Sequence, residues 1–409
     1  MIKPKQISHV NVIGAGFAGI ECAYFLARRG VRVHVFNSAS SVYKCDELTC
    51  DHHVKNSAWR ERLKDEVKIL GSQLVDENER LRAESEFCPA AKVIEFGLQK
   101  LKNHPNVDFF DICIDEINPK EVNVIATGPR TEGGLYEWLR EQFGSIRCFN
   151  QYPVYPLLTG VKEELCKRRR FDEDKHLYIP LTYDEYITFC NCVITERNMY
   201  AQLVGFQPCD IDADCVERLV EKNKDGLRSA FMQPVLLEGQ EEKPYAVLKL
   251  NKCKHGYNVD GFCSNLPIDY QVRILRSLPA LAESDILRAA KPTPNVYINA
   301  PMVINHYGQA EKMDNLFFAG NISGIFGHLE GIYSGLYVAH NVYNYIKGRR
   351  MQEIPDESCI GIIMKKLMTQ NVVKFMPILG NYDIIDLTET EESRNKLKKY
   401  EEDFNGRDV

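Results

Sequence analysis

No apolar run in this sequence is long enough to span a bilayer, and no segment is typical of a secretory signal peptide. The 14 cysteines are scattered and form no ladder of paired CxxC motifs. A secreted disulfide framework is usually shorter and denser in cysteine. These absences predict a soluble cytoplasmic protein with reduced thiols and no membrane contact.

A positive excess of charge is also missing, because 51 Lys and Arg are outnumbered by 57 Asp and Glu. The formal net charge of −6 does not favour a general nucleic-acid coat. Two local basic runs, Lys167 to Arg170 and Lys347 to Arg350, fit either phosphate contacts or an ordinary solvated face. The sequence shows no internal repeat and no low-complexity segment.

The composition is that of a globular protein, with 44% hydrophobic and 26% charged residues. At 409 residues the chain is too long for one small core. It fits either one large α/β domain with an insertion or two domains.

The first informative segment is ISHVNVIGAGFAGIECAYFLARRGVRVHVFN, which predicts a strand, a glycine turn, a helix and a second strand. In its GxGxxG motif, Gly14 permits a tight turn, Gly16 lets a pyrophosphate approach the backbone, and Gly19 allows the helix to pack closely on the strand. Phosphate then binds at the helix N-terminus. The segment therefore predicts a dinucleotide site.

The residue that ends the second strand departs from this pattern. An acidic side chain usually accepts hydrogen bonds from the adenosine ribose there, but this chain has Asn37. Asparagine can accept one such bond without charge assistance. We therefore expect Asn37 to be the ribose contact.

Two later segments resemble the downstream signatures of FAD-dependent Rossmann proteins. One is the predicted strand VNVIATGP, with Ala126, Thr127 and Gly128 at its end, and the other is DNLFFAGNISGIFGHLEGIYSGLYVAHNVYNYI. The resemblance implies that Gly320 and Asn321 contact the flavin diphosphate. It also implies that the helix start at Gly327 and His328 faces the isoalloxazine ring. The alternative is an unrelated α/β protein with glycine turns.

The stretch KCDELTCDHHV brings cysteines, histidines and carboxylates close together in the sequence. Cys45 and Cys50 are separated by four residues, and His52 and His53 are neighbours whose side chains point apart in a strand or a helix. The stretch by itself is compatible with a metal site, a reactive thiol or an ordinary surface loop.

Most of the chain, from about Val10 to Asp386, resembles the TrmFO family of folate- and FAD-dependent uridine-C5 methyltransferases, which is related to the tRNA-modifying protein MnmG. The matching segments occur in the family's order. They include GAGFAGIECAYFLARRGVRVHVF, DELTCDHHVKNSA, LQKLKNHPNVDFF, VIATGP, KPYAVLKL, YNVDGFCSNL, QVRILRSLPAL, NVYINAP, NLFFAGNISGIFGHLEG and VVKFMPILGNYDIID.

This resemblance implies an enzyme that forms 5-methyluridine in tRNA or rRNA, with FAD as cofactor and methylenetetrahydrofolate and NAD(P)H as co-substrates. A cysteine thiolate adds to C6 of the uracil because neutral C5 is a poor nucleophile. Cys50 falls on the first of two family cysteines, so the resemblance implies a catalytic thiol and no metal. The RNA contacts would come from the basic run Lys167, Arg168, Arg169 and Arg170.

The second family cysteine is not matched. The family has a Gly-Cys-x-Pro segment, but this chain reads LVGFQPCDIDADC, with Phe206 in the cysteine position and Cys209 three residues later. Cys209 is either the replacement catalytic thiol or a loop cysteine without a role. His328 likewise replaces a family tyrosine. Two alternatives therefore stay open: altered oxidoreductase or RNA-modification chemistry, and a catalytically inactive paralogue that binds RNA or protein.

We expect a discontinuous α/β architecture. An FAD-binding Rossmann-like domain would comprise residues 1–128 and 290–409, and an inserted α+β domain would comprise residues 129–289. The sequence does not select the RNA, the uridine, NADH or NADPH, or the oligomeric state.

Overall fold

This computed structural model describes residues 8–37, 57–84, 90–144, 146–149, 155–169, 176–204, 215–223, 225–253, 255–291, 295–379 and 391–406. The chain divides into two compact units. Unit 1 comprises Met1–Cys148 and Asn295–Val409, and unit 2 comprises Phe149–Pro294. Within the described ranges, no helix combines the length and the apolar character that crossing a membrane requires.

The strands are numbered in chain order. They are β1 (Val10–Ile13), β2 (Val33–Phe36), β3 (Val107–Phe110), β4 (Val122–Ile125), β5 (Ile146–Phe149), β6 (Leu157–Thr159), β7 (His176–Leu181), β8 (Ala246–Cys253), β9 (Gly256–Val259), β10 (Asp285–Arg288), β11 (Asn295–Ile298), β12 (Gln309–Ala310), β13 (Met313–Phe318), β14 (Ile325–Phe326) and β15 (Ile378–Leu379).

The α-helices are numbered in the same way. They are α1 (Phe17–Arg28), α2 (Ser57–Ile69), α3 (Gln73–Glu84), α4 (Ala90–Lys102), α5 (Gly133–Phe143), α6 (Tyr183–Val204), α7 (Val216–Lys222), α8 (Gly226–Ala230), α9 (Ile268–Arg276), α10 (Ala300–Val303), α11 (His328–Ile346), α12 (Cys359–Met368) and α13 (Glu391–Asn405).

Unit 1 is built on a six-stranded sheet in the order β12-β13-β4-β1-β2-β3, in which only β12 is antiparallel to its neighbour. The central strands β1 and β4 share the sequence Val-Asn-Val-Ile and pair in register. Their buried asparagines bond to each other, with Asn11 Nδ2 donating to Asn123 Oδ1 at 3.0 Å. The predicted α/β class and Rossmann-like domain are confirmed.

Helices α1 and α11 pack against each other closely enough to exclude side chains at the crossing. A Cβ added to Gly335 of α11 would lie 2.3 Å from the backbone oxygen of Ala18 in α1. Glycine is therefore required at this position by the close approach. The contact fixes the start of α11 relative to the turn that begins α1.

Helix α2 is held by a buried polar network centred on Glu66, which is 4% exposed. One carboxylate oxygen accepts from Arg62 Nε at 2.9 Å. The other accepts from Tyr333 of α11 at 2.9 Å and from the backbone N–H of Cys359 at 2.7 Å. Because both oxygens and the guanidinium are satisfied, the charges stay paired away from water. The network joins α2 to α11 and α12.

Unit 2 contains a five-stranded antiparallel sheet in the order β10-β6-β9-β8-β7. Helices α6 and α9 pack on its apolar side, with Tyr186, Phe189 and Phe262 fully buried in the core. This arrangement is the α+β topology expected of the insertion.

The unit boundaries differ from the expected ones. The second unit begins at Phe149 rather than residue 129, and unit 1 resumes at Asn295 rather than residue 290. Helix α5 explains the first difference, because its buried Leu135, Leu139 and Phe143 belong to the core of unit 1. The ring of Phe143 meets Phe318 of β13 with centroids 5.8 Å apart.

Candidate dinucleotide site

The turn between β1 and α1 requires glycine at two positions. Gly14 has φ +98°, and a Cβ there would lie 2.5 Å from the backbone oxygen of Ala126. A Cβ on Gly19 would lie 1.9 Å from the backbone oxygen of Gly14. The turn can therefore lie against the end of β4 only because both side chains are absent.

Gly16 differs, because neither a close contact nor its backbone conformation requires glycine at this position in the described structure. Its φ of −82° is open to any residue, and an added Cβ would meet no atom within 4 Å. Gly16 is the N-cap of α1, so the first N–H groups of the helix have no side-chain acceptor at that position. The open space over this helix end is suited to a phosphate group.

Asn37 lies beside the turn, at the end of β2. Its side-chain oxygen accepts a hydrogen bond from the backbone N–H of Ala15 at 3.0 Å. The backbone N–H of Asn37 donates to the carbonyl oxygen of Phe110 at 3.0 Å. The asparagine therefore stabilises the glycine turn directly. A contact between Asn37 and the ribose stays a prediction.

The segment after β4 forms a second wall of the site. Ala126 continues the β1 pairing by donating its N–H to Ile13 O at 2.8 Å. Gly128 has φ +71° and begins a short 3₁₀ turn. Thr127 is fixed by a 2.5 Å contact between its hydroxyl and that of the buried Thr131. Of the predicted residues, Ala126 and Thr127 thus adjoin Gly14, and Gly128 follows them in the turn.

The turn after β13 reaches the same place. Gly320 has φ +73°, and a Cβ there would lie 2.8 Å from the side chain of Ala18 in α1. Its backbone N–H donates to Ser334 at 2.9 Å, and its carbonyl accepts from Ser323 at 2.7 Å. Asn321, the next residue, is partly exposed at this turn.

The first residues of α1 and α11 are in contact. The ring of Phe17, which begins α1, lies 4.4 Å from the ring of His328, which begins α11. The N-terminal ends of two helices therefore converge, and that of α1, which has no side-chain cap, favours an anionic ligand. Burial and the positive charge of Arg60 lower the pKa of His328 to about 4, so this ring is neutral at physiological pH.

Sequence reasoning missed a side-chain cluster behind this helix start. Glu330, in the first turn of α11, is 3% exposed and accepts a hydrogen bond from Trp59 Nε1 at 3.0 Å. Burial raises the pKa of Glu330. A glutamate three residues after Gly327 is a local helix-start signal that the sequence does contain. Its partner Trp59 has no such signal, because it lies 271 residues away.

The residues of unit 1 that the structure brings together are the glycine turn, Asn37, the end of β4, the Gly320 turn and the start of α11. They form a backbone-lined cradle with two helix N-termini and no fixed negative charge at Gly16. Such a cradle fits the diphosphate of a dinucleotide.

Other predicted site residues lie elsewhere or outside the described ranges. Cys50, Cys209, Phe206 and Arg170 are outside them, as is the stretch KCDELTCDHHV. Lys167, Arg168 and Arg169 lie in unit 2 and are exposed. Lys167 pairs through its backbone with Tyr178 of β7, at 2.8 and 2.9 Å. This pairing holds the start of the basic run at the edge of the sheet.

Among the residues that the structure describes, His, Cys, Asp and Glu side chains form no group of three or more that could hold a metal ion. The described cysteines are free thiols. Buried Cys22 is not reactive, because burial raises its pKa far above the ordinary value.

Comparison with known proteins gives consistent results. The profile of the family described as glucose inhibited division protein A matches residues 9–136 and 170–350. A protein of Thermotoga petrophila named methylenetetrahydrofolate--tRNA-(uracil-5-)-methyltransferase TrmFO is 31% identical over 425 residues, with 96% of each chain covered. A Bacillus pumilus protein of the same name is 28% identical over 421 residues, covering 96% of this chain and 95% of its own.

A solved structure supports the fold independently. The structure of Aquifex aeolicus GidA superposes with a TM-score of 0.61 at 15% sequence identity, covering 97% of this chain and 73% of that one. At this identity the likeness concerns the fold alone.

Proposed function

Because the chain belongs to the family of glucose inhibited division protein A, we propose that it is an FAD-dependent enzyme that methylates C5 of a uridine in tRNA, using methylenetetrahydrofolate as the one-carbon donor. One observation carries the proposal: the likeness to the Thermotoga petrophila methyltransferase runs through 96% of both chains. Ribosomal RNA is the second candidate substrate.

The family is FAD-dependent, and the cradle fits that cofactor. Gly14, Gly16 and Gly320 would hold the diphosphate, and the start of α11 would face the flavin ring. Bound FAD supplies reducing equivalents, received from NAD(P)H, and a carrier for the one-carbon unit. His328 would be a neutral ring beside the flavin, so it adds no charge there.

The proposed nucleophile is Cys50. Addition of its thiolate to C6 of the uracil places negative charge on C5 and O4, which makes C5 able to attack the one-carbon unit. A base would then remove the C5 proton as the one-carbon unit separates from its carrier, which leaves a methylene group on C5. Two electrons and one proton supplied by the reduced cofactor would convert this methylene to a methyl group, and the thiolate would leave as the double bond between C5 and C6 returns. Cys209 is the proposed partner in proton transfer.

The proposal predicts a specific change in cellular RNA. Deleting the gene should remove 5-methyluridine from one position in tRNA, as measured by nucleoside mass spectrometry and site mapping of both tRNA and rRNA. Restoring the gene should restore the mark.

If the deletion removes 5-methyluridine from rRNA and not from tRNA, rRNA is the substrate. No change in either RNA, with no methylation by the purified FAD-loaded protein, would contradict methyl transfer. Phe206 in the family cysteine position would then favour altered flavin chemistry or a binding role.

A second prediction concerns RNA contact by unit 2. Replacing Lys167, Arg168, Arg169 and Arg170 with alanine should weaken tRNA binding, because each cation that meets a phosphate releases condensed counterions. The slope of log affinity against log salt should fall by up to about 3 to 4. Filter binding at several salt concentrations measures both quantities.

The matched control is the other basic run, with Lys347, Arg349 and Arg350 replaced by alanine. This variant should keep the wild-type salt slope. An unchanged slope in the unit 2 variant would identify its run as an ordinary solvated face.

A further inference from the structure

The carboxyl group of Glu330 occupies the end of α11 that faces the cofactor cradle. A Cβ added to the N-cap residue Gly327 would lie 2.0 Å from Glu330 Oε2, so the carboxyl folds back over the helix start. Gly327 has φ +119°, which also favours glycine. The other oxygen, Oε1, accepts from Trp59 at 3.0 Å. Both oxygens are therefore held in one orientation.

Burial raises the pKa of Glu330 above its ordinary value. The Trp59 hydrogen bond and the positive charge of Arg60 on α2 act in the opposite direction and favour the ionised carboxylate. His328 is neutral at physiological pH, and on α12 the charge of Glu330 contributes to raising the pKa of Cys359.

The Glu66 carboxylate on α2 is paired with Arg62 at 2.9 Å. It accepts hydrogen bonds from Tyr333 and Cys359, so it is already fully engaged. Glu330 is thus the buried acid at the helix start whose charge is balanced mainly by one partly buried arginine. Such a group responds strongly to any new negative charge nearby.

We propose that Glu330 takes up one proton from solvent when the bound FAD is reduced. The two electrons and one proton that reduce the cofactor come from a dihydropyridine such as NAD(P)H. They add negative charge to the flavin, at the place where α11 begins. Conversion of the Glu330 carboxylate to the neutral acid offsets that charge. The inference rests on the FAD site and not on methyl transfer.

The test is the pH dependence of the FAD midpoint potential, measured on the FAD-loaded protein between about pH 6 and pH 9. Its slope counts the protons taken up per two electrons. Between the pKa of Glu330 in the oxidised protein and its higher pKa in the reduced protein, the wild type should take up one proton more than the Glu330→Gln variant. Glutamine keeps the shape and can accept the Trp59 hydrogen bond, but it cannot titrate.

Two further variants make the test decisive. Trp59→Phe removes a donor that stabilises the carboxylate, so the additional uptake should begin at a higher pH than in the wild type. This shift also decides the matter if Glu330→Gln fails to fold. Glu95→Gln makes the same chemical change at an exposed position of α4 and should keep the wild-type count. Equal proton counts in wild type and Glu330→Gln at every pH, or an unmoved onset in Trp59→Phe, would overturn the proposal.

Discussion

Replacing Gly16 with aspartate should abolish FAD binding and leave the fold of unit 1 intact. The added side chain meets no atom of the protein within 4 Å at Cβ, and the backbone at Gly16 suits any residue. Aspartate is also a favoured N-cap residue, so it should stabilise α1. Its carboxylate would occupy the space for phosphate. Repulsion between unit charges about 4 Å apart is worth about 4 kcal/mol at an effective dielectric constant of about 20.

We therefore expect at least about a 100-fold loss of FAD affinity. Titration of the apoprotein with FAD measures the affinity, and thermal unfolding of the apoprotein measures the fold. The contrasting variant is Gly14→Ala, which should destabilise the apoprotein as well, because its Cβ would lie 2.5 Å from Ala126 O. A yellow Gly16→Asp protein with wild-type affinity would show that the diphosphate does not bind at this turn.

Replacing Cys50 with alanine should abolish methyl transfer and leave FAD bound. Without a thiolate at C6 the uracil C5 stays a poor nucleophile, so the loss should reach at least about 1,000-fold. Methylation of a tRNA transcript by the purified protein measures activity, and the flavin absorbance measures the cofactor. The two readouts separate a chemical role from loss of the site.

The control is Cys113→Ala, which removes an exposed cysteine of unit 1 to which no role is assigned. It should keep full activity. Cys209→Ala should reduce methylation if the Cys209 thiol lies within reach of the uracil, and should leave it unchanged if it does not. Full methylation by the Cys50→Ala protein would remove Cys50 from the mechanism.

Local sequence patterns were sufficient to predict the glycine turn of the cradle. Gly14 and Gly19 could be assigned from the sequence because the contacts that require them lie within one strand-turn-helix unit or its neighbouring strand. The placement of the cofactor near Gly320 and His328 came from the resemblance to FAD-dependent Rossmann proteins, and it stays a prediction.

Other features depend on contacts that no local pattern records. Asn37 was expected to serve the ribose, but its oxygen also supports the turn through Ala15 N. The insertion was expected to begin at residue 129, but the apolar side chains of α5 are buried in unit 1. The contact between Trp59 and Glu330 joins positions 271 residues apart. Burial and long-range pairing decided each of these, and neither is visible in a single sequence.

The order of the elements along the chain has a consequence for biosynthesis. β4 pairs with β1 on one side and with β13 on the other, yet the ribosome makes β13 and α11 only after the whole of unit 2. Because domains fold as they emerge, unit 2 can complete its sheet while β4 still has an unpaired edge. A nascent chain stalled before Met313 would carry that exposed edge, which favours aggregation. The cradle is thus among the last parts of unit 1 to be completed, and we expect FAD to bind only near the end of translation or after it.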